Sequence, residues 1–133
     1  LEPLDLLTKR SRQGAARITK NSKIFKTIIA AIQEKKGEAV VSLDLRKISE
    51  AVSDFFVICE ASSQPQVRAI ADNIEQRVKE NCRENVFHKE GFQNLQWVLM
   101  DYVNVVVHIL LPENRKFYAI EEMWSDAVWQ EHN

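Results

Sequence analysis

The stretch WVLMDYVNVVVHILL, from Trp97 to Leu111, constrains the fold of this chain more than any other part. Val105, Val106 and Val107 are β-branched, and the apolar run continues through His108, Ile109, Leu110 and Leu111 until Pro112 ends it. β-Branched residues favour the extended chain, and an apolar run this dense reads as a central strand covered on both faces. The preceding segment reads as a second strand, joined to the first by a tight turn at Tyr102, Val103 and Asn104. Alternation sends Trp97, Leu99 and Asp101 one way, and Val98, Met100 and Tyr102 the other. Both sets are largely apolar. A helix layer can cover one face, so the other needs a second layer or a partner, and that surplus points to a protein that works by binding.

The remaining chain supplies the layers. Asn21 or Ser22 can cap a helix whose stripe is Ile24, Ile28, Ala31 and Ile32, widened by Phe25 and Ile29 and stopped at Gly37. Residues 39–45 read as a strand, 46–53 as a connector anchored by Ile48 and Val52, and 54–59 as a second strand. Ser63 with Gln66 fits a capping box, with Pro65 in the first turn. The helix that follows buries Val67, Ile70, Ala71, Ile74 and Val78. A short strand at 86–88 precedes the hairpin. One last helix after Pro112 and Glu113 carries Phe117, Ile120 and Trp124, with Tyr118 and Met123 broadening its face. This order predicts a single α/β domain in which a mixed β-sheet is packed with helices.

A chain of 133 residues can build one real core. With 18 basic and 19 acidic residues the formal charge is -1, which gives no support for non-specific nucleic-acid binding, and no direct DNA binding is expected. The basic residues cluster early, where Lys9, Arg10, Arg12, Arg17, Lys20, Lys23 and Lys26 face only Glu2 and Asp5. Residues 1–21 therefore read as a basic arm or short helix. Two cysteines, Cys59 and Cys82, read most simply as free thiols in a reducing, cytoplasmic setting, with one disulfide as the alternative. No run approaches membrane-spanning length and no signal peptide is legible.

Chemistry-bearing patterns are sparse. Walker, dinucleotide and nucleophile-elbow patterns are absent, and so is a zinc-type cysteine pair. His88, His108 and His132 lack metal-ligand spacing, and His108 reads as a core or interface histidine. Asp44, Asp54 and Asp101 sit near strand ends, where convergent carboxylates could hold magnesium. Nothing else that such chemistry needs accompanies them. Ser62 and Ser63 precede a helix and read as caps.

Five segments carry a resemblance: SDFFVIC at 53–59, QVRAIAD at 66–72, WVLMDY at 97–102, VVVHI at 105–109 and EEMWSDA at 121–127. Together, and in this order, the chain resembles the ribosomal silencing factor (Iojap-like) family over about residues 23–127. The resemblance implies a family domain at 22–127 and a tail at 128–133. It also implies a nucleotidyltransferase-like fold without the catalytic constellation, no cofactor and no enzymatic turnover. The implied function is a homodimeric translation repressor. It would bind the large ribosomal subunit through ribosomal protein L-fourteen and sterically block joining of the small subunit. The alternative is a small nucleotidyltransferase-like enzyme acting on a nucleotide or RNA. By motif, Trp97 matches the family tryptophan on the strand facing the ribosomal protein, with Met100, Asp101 and Tyr102 in the adjoining motif. By periodicity alone, Trp97 is core. The chain departs from the family pattern at Val103 and Asn104, where a glycine and an aspartate are usual, and at Ala61 and Pro65.

Overall fold

The structure, a computed structural model, describes residues 17–132. Helix α1 (Lys23–Glu34) forms where Ile24, Phe25, Ile28, Ala31 and Ile32 share one buried face. Helix α2 (Gln64–Cys82) buries Val67, Ile70, Ala71, Ile74 and Val78. Its start is a shifted capping box. Ser63 Oγ accepts the Gln66 N–H at 3.2 Å, while the Gln66 side chain reaches back to the Ser62 N–H at 2.7 Å.

The strands are β1 (Glu38–Asp44), β2 (Phe55–Glu60), β3 (His88–Glu90), β4 (Trp97–Asp101), β5 (Val105–Leu110) and β6 (Val128–Glu131). They form one sheet in the order β3-β4-β5-β2-β1-β6. Only β2 and β5 pair parallel, with Phe55 opposite Val105 and Glu60 opposite Leu110. The other four pairings are antiparallel. A mixed α/β single domain is what forms. The nucleotidyltransferase-like expectation is corrected. Antiparallel additions extend this sheet at both ends, β3 on β4 and β6 on β1, so it stays open instead of closing or curling.

Two cores lie on the two faces, as the double apolar register requires. Val98, Met100 and Tyr102 of β4, with Val105, Val107 and Ile109 of β5, pack under α1 and α2. Each such side chain, fully buried, contributes about 1.5–3 kcal/mol. The opposite face gathers Leu43, Phe56, Ile58, Trp97, Leu99, Val106 and Leu110. Its cover is thinner: the β1–β2 connector with Ala51 and Val52, and two short helices, α3 (Pro112–Tyr118) and α4 (Ile120–Met123). One continuous last helix was expected. Ala119, at φ 46°, breaks it into two. Arg115 ties this cover down. It donates to the Ala39 carbonyl at 2.7 Å and to Glu121 at 2.8 Å, and lies 3.5 Å from Glu60.

Residues 128–131, read from sequence as part of a tail, form β6, which pairs Val41 with Glu131 and Leu43 with Trp129. The sequence-read arm falls mostly on residues 1–16, outside the described residues. Of its last residues, Arg17 donates to the Arg46 carbonyl, Ile18 N–H to Asp54 at 3.0 Å and Lys20 to Gln130 of β6 at 2.6 Å.

The β4–β5 turn carries strain. Val103 sits at φ 73°, a left-handed conformation that costs a non-glycine residue about 1–2 kcal/mol, and more for a β-branched one. Its N–H is held by Asp101 at 2.8 Å and its carbonyl accepts from Ser53 at 2.9 Å. Val103→Gly is therefore expected to stabilise the protein by about 1 kcal/mol, raising Tm by roughly 4 °C in calorimetry. An unchanged or lowered Tm would show that the valine side chain offsets its own strain by packing.

Candidate functional site

Trp97 opens β4 on the thinly covered face. Its indole is 6% exposed, so it is a buried wall and not a projecting side chain. Its ring stacks at 4.6 Å on Tyr118 of α3, and its N–H donates to Nδ1 of His108 at 3.1 Å. Beside this pair opens a groove of about 760 Å³. The β3–β4 loop supplies Phe92, Gln93, Asn94 and Gln96, α2 supplies Arg68, and α3 supplies Asn114 and Tyr118. Lys89 Nζ and the Arg68 guanidinium lie 5.1 and 5.6 Å from the centre of the Phe92 ring. Phe117, 79% exposed, packs edge-on against Tyr118 at 5.0 Å. Aromatic faces, amides and cations together suit a macromolecular surface.

The four residues singled out by sequence do not share one face. Trp97 and Asp101 point to the thin side, four residues apart on β4. Met100 and Tyr102 point into the α1/α2 core, fully buried and 3% exposed. Asp101 is 1% exposed and its carboxylate accepts the Val103 N–H. Burial pushes the Tyr102 hydroxyl pKa well above its usual value. Of the four, only Trp97 lines the groove. Tyr118 and Asn114 of α3, Phe92 of the β3–β4 loop and Arg68 of α2 reach it, and no spacing in the sequence joins them to Trp97.

His108 is fully buried, between Phe56 at 4.6 Å and Trp97. Accepting the indole proton fixes its tautomer, so Nε2 carries the hydrogen. Burial depresses its pKa to about 3. The folded chain thus keeps a neutral imidazole where the unfolded chain binds a proton below its ordinary pKa of about 6.5. That stability is fully present above pH 6.5 and is lost as pH falls toward 3. Between pH 7 and pH 5 the loss is expected to be about 2 kcal/mol, read as a falling denaturation midpoint. His132, also depressed by burial, adds in the same direction. In His108→Phe most of the slope should vanish; an unchanged slope would assign it elsewhere.

The three aspartates do not converge. Asp44 pairs with Arg46 at 2.7 Å, which holds its carboxyl below the usual range; Asp54 accepts from Ile18 N–H and the Asn104 amide; Asp101 caps the turn. Among the described residues, no group of three or more His, Cys, Asp or Glu is placed to hold a metal ion. Cys59 and Cys82 are both free thiols, and burial lifts Cys59 to about 12. No helix among the described residues is long and apolar enough to cross a membrane.

A family profile described as "Ribosomal silencing factor during starvation" matches residues 18–133. The chain belongs to the ribosomal silencing factor family. It is 40% identical over 104 residues to ribosomal silencing factor RsfS of Bacillus subtilis, covering 78% of this chain and 86% of that one. It is 36% identical over 107 residues to RsfS of Halalkalibacterium halodurans, covering 80% and 90%. A crystal structure of a Chromobacterium violaceum protein superposes with a TM-score of 0.73 at 32% identity, covering 77% of this chain and 84% of that one. This family is not one of enzymes, and its general role is ribosome silencing.

Proposed function

We propose that this chain represses translation by docking on the large ribosomal subunit, through ribosomal protein L-fourteen, and sterically blocking the small subunit. The observation that carries the reading is the family match across residues 18–133. The groove beside Trp97 and Tyr118 is the docking face that fits it best, with Trp97 shaping the floor and exposed Phe117 offering the contact. Met100, Asp101 and Tyr102 act from behind, holding β4 and its turn in place. The mechanism needs no cofactor and no covalent step: bulk on one subunit occupies space the other requires. A homodimer acting in the cytoplasm completes the proposal, since two-fold pairing is the commonest soluble assembly.

Co-sedimentation with purified large subunits, with and without small subunits, tests it. Truncating an aromatic hot spot costs about 2 kcal/mol or more, roughly thirtyfold in affinity. Phe117→Ala, beside the groove on Tyr118, and Gln96→Arg, on its wall, alter exposed positions and should leave unfolding unchanged. Both are expected to weaken binding by about that factor and to restore subunit joining in light scattering. If both fold normally, bind and block joining like the parent, the docking face lies elsewhere. If the parent itself does not co-sediment, the ribosome reading fails.

A further inference from the structure

A second groove, of about 610 Å³, lies on the same face of the sheet as Trp97 but at its other end, between β1, β6 and the segment after α4. Val41 and Leu43 give it an aliphatic floor, and Trp124 and Trp129 line it. Trp129 is 58% exposed, a large apolar surface left open to a ligand. Pairing of β6 with β1 sets Trp129 opposite Leu43 and Glu131 opposite Val41. Trp129 and Glu131 therefore leave one face of β6, about 7 Å apart along the strand. One arginine or lysine side chain covers that span, with its stem on the ring and its head at the carboxylate.

Charge decides what fits. Among the lining residues Arg115 carries the positive charge, and its guanidinium is already held by the Ala39 carbonyl at 2.7 Å, Glu121 at 2.8 Å and Glu60 at 3.5 Å. Glu122 and Glu131 are exposed, and neither meets a cation among the described residues. These two carboxylates repel the phosphates of nucleic acids and of anionic lipids. A second copy seated by two-fold symmetry brings the same carboxylates against themselves. A basic peptide meets neither obstacle. Its cations pair with Glu122 and Glu131 and stack on indole, the ring that holds cations best, while its aliphatic side chains cover Val41 and Leu43. A groove of about 610 Å³ is of the size that takes a small ligand, so a short segment fills it.

We propose that the Trp124–Trp129 groove docks an extended segment of a basic protein, in which arginine or lysine alternates with aliphatic residues. One cation lies over the Trp129 indole and pairs with Glu131, and a second pairs with Glu122. This surface lies beyond the ribosome reading and shares no lining residue with the Trp97 groove.

The test is calorimetric titration of the full chain with the synthetic peptide acetyl-Leu-Arg-Leu-Arg-Leu-amide. Saturable binding of one peptide per chain is expected, weakening as salt rises. Glu122→Lys with Glu131→Lys, and separately Trp129→Ala, should each weaken it about tenfold or more. The same peptide with glutamate in place of arginine should not bind. Phe117→Ala, beside the other groove, should bind the peptide like the parent, which keeps this result apart from the ribosome test. Should Trp129→Ala detach β6, Glu122→Lys alone, outside that strand, still decides. Failure of the parent to saturate, or equal affinity in the parent and the charge-reversed variant, overturns the proposal. So does equal affinity for the glutamate peptide. Self-association of the parent that Trp129→Ala abolishes also overturns it and gives the groove to a second copy. Binding of a single-stranded oligonucleotide that the same variant abolishes overturns it too and gives the groove to nucleic acid.

Discussion

Replacing Trp97 with alanine is expected to lower the unfolding free energy by about 3–5 kcal/mol, the range for truncating a buried large aromatic. The indole is 94% removed from solvent, stacks on Tyr118 and supplies the hydrogen bond that His108 Nδ1 accepts. Against a total of about 5–15 kcal/mol this is a large fraction, and Tm should fall by roughly 15 °C. The consequence for function is practical. Lost ribosome binding in Trp97→Ala would not by itself locate the docking face, because the fold is weakened at the same time. Trp97→Phe keeps an aromatic ring beside Tyr118 but loses part of the buried volume and the donor to His108, so its smaller Tm loss separates packing from the fold's collapse and makes it the better variant for binding assays. A Tm loss in Trp97→Ala of only a few degrees would mean that the tryptophan packs less tightly than its burial indicates.

The second large effect is expected at Gly91. It stands at φ 87°, and a Cβ there would lie 2.0 Å from the Trp97 carbonyl oxygen and 3.0 Å from its carbon. These are backbone atoms of β4 and cannot swing aside as a side-chain tip can. Gly91→Ala combines left-handed strain of about 1–2 kcal/mol with overpacking of about 1–3 kcal/mol, so about 3 kcal/mol or more is expected. The Gly91 carbonyl also accepts from the Leu95 N–H at 2.9 Å, which shapes the loop that walls the Trp97 groove. Urea unfolding would read the loss, and hydrogen exchange should show β3 and the start of β4 opening first. A variant as stable as the parent would require β3 to sit farther from β4 than the structure places it.

What could be read from sequence followed what periodicity encodes. The two long helices were legible because Ile28, Ile32, Val67, Ile70 and Ile74 recur at helical spacing. Strands β2, β4 and β5 were legible because their apolar residues are dense enough to need cover on both faces. The turn at 102–104 was legible from the break between two apolar runs, though its cost to Val103 was not. β6 was not legible. VWQE is short, exposed on every residue and lies just past an acidic stretch, and its pairing depends on β1, nearly ninety positions earlier. The break at Ala119 was also hidden, since alanine is the strongest helix former and only tertiary contacts such as the Arg115 ties hold it left-handed. The nucleotidyltransferase-like label rested on resemblance, and the open strand order corrects it. Alternation alone read Trp97 as core, which its burial matches, and its docking role came only from the motif. Its neighbours Tyr118, Phe92 and Arg68 were not, because the groove exists only once α2, the β3–β4 loop and α3 meet.

The single parallel pairing in the sheet has a consequence during synthesis. β2 and β5 pair register for register at a separation of fifty positions. At a ribosomal rate of about 5–20 residues per second, the FFVIC strand waits several seconds for its neighbour. In that interval only β1 lies beside it, and the other side of β2 displays its main-chain donors and acceptors along a run of aromatic and β-branched residues. Such a run is a template for self-association. The nascent chain is therefore most vulnerable between the emergence of Glu60 and that of Leu110. A pause placed in that window should lower the soluble yield far more than one placed after β5.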